Sequence, residues 1–357
     1  MAGVAQATIK QFALAGAASA IFTTIGQADA LAHGGIEDGF IGFATKLSPT
    51  GLNGDLECHT IWVMKNKSTN KKPRLLIIGC GDVGMRLLPL LNARFRVFAV
   101  ARFSRPEEAA QVRLAGAIPL KADLDQPASL RRLAGLANII IHLAPPPGSG
   151  ALDQRTRNLL AILPHQARLV YVSTTGVYGD CAGSLVAETR VVAPTNARAR
   201  RRVDAEQVLR AWAVRSDSRL SILRVPGIYA DNRLPIERLH KQTPAFIEAD
   251  DVWTNHIHAD DLARIIVQTI FLGKANRVVH AVDDSQLRMA DYFDLVADHF
   301  KLPRPPRLPH AEVKQAVTPM LWSFMGESRR LQNQRLKHEL RMRLRYPTVQ
   351  SALAAML

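Results

Sequence analysis

The first residues that could carry chemistry are three glycines at a fixed spacing. Gly79, Gly81 and Gly84 form a G-x-G-x-x-G pattern between the apolar run 75–78 and a second apolar, helix-like stretch. The first glycine of such a pattern permits a tight turn, the second lets the backbone approach a pyrophosphate, and the third lets a helix pack closely on a strand. Free N–H groups at the start of that helix attract phosphate oxygens. We therefore predict a dinucleotide site, and the alternative is a glycine turn that serves packing alone. The loop residues assigned to the site are Gly79, Gly81, Asp82, Val83 and Gly84.

The end of the next apolar run, residues 96–101, bears on the choice of cofactor. An acidic residue there would bind the ribose 2′-hydroxyl of NAD. This chain instead has Arg102, Ser104 and Arg105. Arginine suits the 2′-phosphate of NADP because its guanidinium can grip phosphate oxygens bidentately. The residues favour NADP, with NAD as the second choice; two exposed surface arginines without a ligand are the alternative interpretation.

The elements that would position these residues alternate between strands and helices. Apolar runs at 75–78, 96–101, 117–120, 138–143 and 168–172 are separated by helix-like stretches. This alternation predicts an α/β fold with a doubly wound parallel sheet, which binds ligands at the carboxyl ends of its strands. Four of the runs end in residues that could meet a ligand. Besides the residues above, those predicted to contact the cofactor there are Asp123, Leu124, Leu143, Ala144 and Pro145.

The composition of the chain limits the kinds of ligand and the compartment that we expect. The chain has 357 residues, 47% of them hydrophobic, and a formal net charge of +15 that is concentrated after residue 63. Because the chain after residue 63 carries this excess of positive charge, we expect anionic ligands. We do not expect nucleic-acid binding, because no recognised nucleic-acid motif accompanies the charge. Three cysteines form no even disulfide framework, which is typical of a cytoplasmic protein. We expect no metal: the run His256-x-His258-x-Asp260 has metal-ligand types but lacks further ligands nearby in the sequence.

Residues 1–73 differ from the rest of the chain. Residues 1–63 are rich in Ala, Gly, Thr and Ile, and residues 65–73 are polar and charged. An apolar run at 12–25 precedes Ala28-Asp29-Ala30, as in a signal peptide. The run is too short and too broken for a membrane span. We favour a poorly ordered or mis-called extension, because Met64 could begin the chain; a signal peptide and a folded element remain as alternatives. We expect this segment to carry no chemistry.

Four further motifs carry a resemblance to a known family. They are I-I-H-L-A (140–144), S-T-T-G-V-Y-G (173–179), R-V-P-G-I-Y (224–229) and H-I-H-A-D-D-L-A (256–263). With the glycine loop they resemble the extended short-chain dehydrogenase/reductase superfamily, and within it the NAD(P)-dependent epimerase/dehydratase family of nucleotide-sugar enzymes. The resemblance implies a Rossmann domain at 74–227 and 252–283 with a smaller C-terminal substrate subdomain at 228–251 and 284–357. It also implies that Pro226 lies near the cofactor, and that the segment at 256–263 is a strand entering a helix capped by Asp260 or Asp261.

The chain departs from this family at the catalytic pair. Members use Tyr-x-x-x-Lys on the helix after the S-T-T strand, whereas the helix predicted at 195–212 contains no tyrosine. Arg198 falls at the tyrosine position and Arg202 at the lysine position. Arginine stays charged and cannot act as a general acid or base. Thr174 matches the hydroxyl residue that orients the substrate carbonyl. The resemblance thus assigns catalytic positions to Thr174, Arg198 and Arg202.

These observations leave three interpretations of function. The chain could use another proton donor, with Tyr178 and Tyr229 as candidates; it could perform a changed reaction on an anionic substrate held by the arginines; or it could be a non-catalytic NADP-binding sensor. We favour an NAD(P)-binding oxidoreductase of the epimerase/dehydratase kind that acts on a small anionic substrate such as a nucleotide sugar. A homodimer is expected because family members often dimerise. A basic helix is predicted at 328–344 as a lid on the substrate subdomain.

Overall fold

The computed structural model describes residues 41–50, 55–64 and 71–356. Two antiparallel strands, β1 (Ile41–Thr50) and β2 (Asp55–Met64), pair along their whole length and belong to a unit distinct from Lys72–Leu357. The described part of the N-terminal segment is therefore a hairpin. The apolar run at 12–25 and the signal-peptide interpretation lie outside the described residues, and the domain boundary at residue 73 stays a prediction.

The second unit alternates strands with helices over most of its length. Its strands are β3 (Arg74–Ile78), β4 (Arg96–Ala101), β5 (Ile118–Lys121), β6 (Ile139–His142), β7 (Arg168–Thr174), β8 (Leu185–Val186), β9 (Arg219–Val225), β10 (Gly227–Tyr229), β11 (Ala245–Phe246), β12 (Trp253–Thr254), β13 (His256–His258), β14 (Arg277–His280), β15 (Leu287–Arg288), β16 (Arg307–Leu308) and β17 (Arg330–Leu331). Its helices are α1 (Asp82–Leu91), α2 (Pro106–Leu114), α3 (Pro127–Leu130), α4 (Gln154–Leu160), α5 (Ala197–Arg215), α6 (Ile236–His240), α7 (Ala259–Leu272), α8 (Met289–His299), α9 (His310–Ala316), α10 (Pro319–Met325), α11 (Gln334–His338) and α12 (Val349–Ala354). Short 3₁₀ turns lie at Arg131–Leu133, Thr175–Tyr178, Asp231–Arg233 and Glu248–Asp250.

Seven parallel strands form the central sheet, in the order β14-β9-β7-β6-β3-β4-β5. The chain runs outward from β3 to β5 on one side and from β6 to β14 on the other, so the strand order reverses between β3 and β6. A crevice opens outside the carboxyl ends of the strands at such a reversal, and ligands bind there in open α/β sheets. The predicted α/β, doubly wound Rossmann fold is confirmed.

Both faces of the sheet are covered because its inner strands are apolar on both sides. One hydrophobic cluster packs α1 and α7 on the first face, and another packs α4 and α5 on the second. A third cluster, which includes Tyr229, Phe246, Phe293 and Leu353, forms the core of the smaller C-terminal part. The glycine loop and the S-T-T strand are therefore held on a rigid sheet.

Two local predictions are wrong. The basic helix predicted at 328–344 is instead β17, the short helix α11 and irregular chain up to residue 348. Its arginines bind backbone carbonyls: Arg329 donates to Gly179 O (2.6 Å) and Arg335 to Val278 O (2.9 Å). These bonds tie the segment to the sheet and hold it out of a continuous helix.

The second error concerns the N-terminus of α7. His258 caps this helix, because its Nδ1 accepts a hydrogen bond from the backbone N–H of Asp260 (3.2 Å). We had expected Asp260 or Asp261 to cap it. The carboxylate of Asp261 instead accepts the backbone N–H groups of Arg345 (2.8 Å) and Tyr346 (2.7 Å), so it anchors the C-terminal segment.

Within residues 71–356 no helix has the length and apolar character needed to cross a membrane. In the same part of the chain no three His, Cys, Asp or Glu side chains lie close enough together to hold a metal ion.

Candidate functional site

A cavity of about 530 Å³ lies at the carboxyl ends of β3, β4 and β6. We call it the dinucleotide cavity. It collects most of the residues predicted to contact a cofactor. Those lining it are Gly79, Gly81, Asp82, Val83, Gly84, Arg102, Ser104, Asp123, Leu124, Leu143, Ala144 and Pro145. Arg105 and Pro226 do not line it.

The glycine loop leaves the space that a pyrophosphate needs. Gly79 has φ +89°, and a Cβ there would lie 2.7 Å from the backbone nitrogen of Ala144, so the turn requires glycine. A Cβ on Gly81 would meet nothing within 4 Å. Helix α1 begins at Asp82 without a capping side chain, which leaves its first N–H groups free for an anion. The residues present therefore fit a dinucleotide.

The two arginines that follow β4 have different surroundings. Arg102 is exposed, lines the dinucleotide cavity and makes no ion pair with any residue that the structure describes. Arg105 lies further along the chain, just before α2, and pairs with Glu108 (3.1 Å) on the surface of that helix. The structure therefore places Arg102 and Ser104 on the wall of the dinucleotide cavity and leaves Arg105 outside it.

Sequence reasoning missed a clamp at the opposite wall of this cavity. Arg155, on α4, binds both oxygens of Asp125 (2.8 and 2.6 Å) and donates to the carbonyls of Pro145 and Pro146. The clamp joins the loops after β5 and β6. No motif marks Arg155, since its partners are brought together by the fold.

Cys80 lies inside the glycine loop but is a packing residue. Its thiol is buried against Gly84, and burial raises its pKa to about 11. A thiol that stays protonated at neutral pH is a poor nucleophile. We therefore assign no chemistry to Cys80.

A second cavity of about 480 Å³ lies between the end of β7, the start of α5 and residues of the third hydrophobic cluster such as Tyr229 and Phe293. We call it the substrate cavity. Thr174, Arg198 and Pro226 line it, while Ile228 and Arg233 line both cavities. The Oγ1 of Thr174 accepts the backbone N–H of Gly176 (3.3 Å), which leaves its hydroxyl proton available to a ligand. The two cavities therefore meet, and a molecule in one can approach a molecule in the other.

Of the two arginines on α5 that were predicted to be catalytic, only one lies at a cavity. Arg198 stands at the cavity with its guanidinium 4.6 Å from the centre of the Phe324 ring. Arg202 is buried one turn later, donates to Tyr171 Oη (2.9 Å) and Val172 O (3.0 Å), and lines neither cavity. Its contacts are those of a residue that fixes α5 to the sheet, so the structure does not place Arg202 at the site.

The tyrosines considered as proton donors are poorly placed or poorly tuned. Tyr178 is buried away from both cavities, with its hydroxyl bound to Arg224 (2.7 Å) and His280 (2.6 Å). Tyr229 and Tyr292 line the substrate cavity, but burial raises the pKa of each well above its ordinary value. A catalytic tyrosine needs the opposite shift. The described tyrosines of the cavity therefore do not replace the missing one.

Arg238 is a second arginine on the wall of the substrate cavity. It lines the substrate cavity, its guanidinium lies 4.4 Å from the centre of the Phe293 ring, and its Nη2 contacts Met325 Sδ (3.1 Å). Desolvation lowers its pKa to about 10. Neither Arg238 nor Arg198 pairs with an acidic side chain in the described part of the chain. Arg238 is half-buried and Arg198 is exposed at the cavity; a cation that is partly desolvated without a counter-ion is costly, so this wall is suited to an anion.

Comparisons with known proteins agree with this arrangement. A model of the family described as NAD(P)H-binding matches residues 79–271. No curated protein matches the chain. A functionally unknown conserved protein from Silicibacter pomeroyi is 30% identical, with a TM-score of 0.65 over 80% of this chain and 98% of that one.

Two further solved structures share the fold at lower identity. The UDP-glucose 4-epimerase from Thermotoga maritima, solved with UDP-glucose, is 16% identical, with a TM-score of 0.64 over 78% of this chain and 96% of that one. The UDP-glucuronic acid 4-epimerase from Bacillus cereus, solved with NAD, is 17% identical, with a TM-score of 0.61 over 79% and 94%. The chain therefore belongs to the NAD(P)H-binding family, and it shares its fold with these two epimerases.

Proposed function

We propose that this chain binds NADP(H) in the dinucleotide cavity and acts on an anionic substrate in the substrate cavity. The observation that carries the proposal is the meeting of two cavities that each suit anionic groups. One is a glycine-lined cradle at a helix N-terminus, and the other is lined by Arg198 and Arg238, which pair with no acidic side chain within residues 71–356. A cofactor that transfers hydride and an anionic substrate would then lie side by side.

The cofactor preference is supported by charge at the end of β4. Arg102 is free of ion pairs within the described residues and lines the cavity beside Ser104. A guanidinium and a hydroxyl suit a 2′-phosphate better than a 2′-hydroxyl. The proposal is therefore NADP before NAD.

The substrate class follows from the wall of the second cavity. Two unpaired arginines lie among aromatic side chains, including Trp253 and Tyr292. Such a wall suits a ligand that joins phosphate or carboxylate groups to a ring. Nucleotide sugars have this composition, and the Thermotoga enzyme was solved with one of them, UDP-glucose. We take a nucleotide sugar as the proposed substrate.

The chemistry assigned to the chain's own residues is limited by their types. Bound NADP(H) would supply hydride transfer. The glycine loop and the N-terminus of α1 bind phosphate, and Thr174 donates a hydrogen bond to a substrate oxygen. Arg198 stabilises negative charge on that substrate but moves no proton, because a guanidinium stays charged. The chain would therefore work without the tyrosine–lysine pair of its relatives.

Arg238→Met tests the substrate assignment. Methionine keeps the apolar stem and removes the charge, so we expect the Kd for UDP-glucose, measured calorimetrically with NADP⁺ present, to rise at least about tenfold. Lys241→Met is the matched control, since Lys241 is an exposed cation just beyond α6 that pairs with Glu237. Equal affinity in the wild-type protein and Arg238→Met would contradict the assignment.

The same titrated sample distinguishes an enzyme from a non-catalytic NADP sensor. Formation of reduced nicotinamide or of an altered sugar nucleotide would exclude the sensor. Tight binding of both ligands without any change in either would favour it.

A further inference from the structure

Arg233 occupies a position that belongs to both cavities. It lies in the 3₁₀ turn Asp231–Arg233, just after β10, and lines the dinucleotide cavity and the substrate cavity alike. Its Nη1 donates to Asp82 Oδ2 (3.1 Å), and so links this turn to the first turn of α1. Arg233 thus connects the glycine loop directly to the start of the proposed substrate subdomain.

A second contact supports the same link. Arg86, one turn into α1, donates to Asn232 Oδ1 (3.3 Å) and binds Asp82 (3.3 Å) and Asp260 (2.5 Å). We call Asp82, Arg86, Asn232 and Arg233 the polar bridge. The bridge joins α1 to the turn after β10 by two independent hydrogen bonds, so the turn has a defined place beside the proposed phosphate site.

The charge of Asp82 gives the bridge a function. Its carboxylate stands in the first turn of α1, where it would repel the phosphates of a dinucleotide. Arg233 and Arg86 offset that charge. The Arg233 side chain is 37% exposed, and its Nε and Nη2 make no hydrogen bond within residues 71–356. A guanidinium has five N–H donors in a fixed fork, so Arg233 can keep Asp82 and still bind a phosphate.

The segment that follows Arg233 forms a wall of the substrate cavity. Leu234, Pro235, Glu237 and Arg238 all line that cavity. A contact that holds Arg233 in place therefore also restrains the chain that leads to Arg238, five residues later. A ligand that binds Arg233 reduces the freedom that the substrate would otherwise have to remove from this wall.

We propose that Arg233 couples the two cavities. It binds a phosphate of the dinucleotide while it retains Asp82, and so orders residues 231–240 before the anionic substrate enters. Dinucleotide binding then raises the affinity for substrate, and substrate raises the affinity for dinucleotide by the same factor. This inference rests on the proposed function of the dinucleotide cavity.

Hydrogen exchange on the full chain, with and without saturating NADPH, tests the coupling. In the wild-type protein we expect NADPH to slow exchange both in the glycine loop (79–86) and in residues 231–240. In Arg233→Gln we expect protection to persist at 79–86 and to be lost at 231–240, with a Kd for NADPH raised about tenfold by the loss of one charged hydrogen bond. Arg233→Lys, which keeps the charge, should retain part of the protection.

Arg304→Gln is the matched control, because Arg304 forms an exposed pair with Asp298 (2.7 Å) and lines neither cavity. It should behave as wild type. Protection at 79–86 alone in the wild-type protein, or unchanged protection at 231–240 in Arg233→Gln, would overturn the coupling and leave the proposed function standing. No protection in either region would overturn both.

Discussion

Arg102 and Arg105 stand three residues apart, yet the structure gives them different surroundings. Arg102 faces the dinucleotide cavity, and Arg105 pairs with Glu108 on α2. At the scale of single residues, the sequence predicts both cations as contacts of a 2′-phosphate, whereas in the structure Arg102 lines the cavity and Arg105 does not. Direction at the end of a strand depends on the turn that follows, and here Phe103 has a positive φ (46°) that sets it.

This difference gives a matched pair of substitutions. Arg102→Asp should raise the Kd for NADPH at least about tenfold, because it replaces a charged hydrogen bond with repulsion, and should change the Kd for NADH much less. Arg105→Asp should leave both values close to wild type. Calorimetric titration of each variant measures them. Equal losses for NADPH in the two variants would show that only overall charge matters.

The sequence did not reveal the role of a residue whose partners lie far away in the chain. The glycine positions were predictable because their conformational demands are local. Arg155 was not, since its partners come from two loops elsewhere in the chain. Arg202 shows the converse: its position in a motif suggested a ligand contact, but packing turned it toward Tyr171.

At the scale of elements, α5 is held to the sheet by a buried ion pair. Arg224, on β9, binds both carboxylate oxygens of Glu206 on α5 (3.1 and 2.7 Å), and Ser173 donates to the same carboxylate (2.6 Å). Both charged side chains are almost fully buried. This pair sets the position of α5 relative to β7, and therefore of Arg198 relative to Thr174.

Breaking this pair should be costly. Arg224→Met leaves the Glu206 carboxylate buried without its cation, and we expect the free energy of unfolding to fall by ~3–5 kcal/mol. Urea denaturation measures the change. The double variant Arg224→Met/Glu206→Gln should recover a large part of the loss, because the amide is neutral and can still accept from Ser173. Simple addition of the two single effects would contradict the role given to the pair.

The elements also show where sequence patterns are ambiguous. Five strands of the central sheet and α5 were predicted to within a few residues, because the apolar positions that mark them in the sequence are buried in the structure. The segment 328–344 has leucines at helical spacing and many arginines, yet forms β17 and α11. Its strand pairs with β8, a partner about 145 positions earlier, and spacing within the segment cannot encode that pairing.

At the scale of the whole molecule, the strand order places the two cavities side by side. The reversal between β3 and β6 opens the dinucleotide cavity, and the chain leaves the sheet after β9 to build the wall of the substrate cavity. The net charge of +15 favours anionic ligands in general. The arginines that line a cavity and form no ion pair within residues 71–356 are Arg102, Arg198 and Arg238, and Arg233, which pairs with Asp82, lines both cavities.

The most direct test of this account is calorimetric titration of NADPH into the full wild-type chain and into Gly81→Ala. A Cβ at Gly81 meets no protein atom within 4 Å, so the variant should fold normally, while its methyl group takes space that the pyrophosphate needs. Gly148→Ala is the control, because its Cβ is equally unobstructed and Gly148 lines neither cavity. We predict NADPH binding by the wild-type protein and Gly148→Ala, tighter than NADH binding, and a loss of at least about tenfold in Gly81→Ala. Failure of the wild-type chain to bind either nucleotide, or equal binding by Gly81→Ala, would contradict the assignment of the dinucleotide cavity.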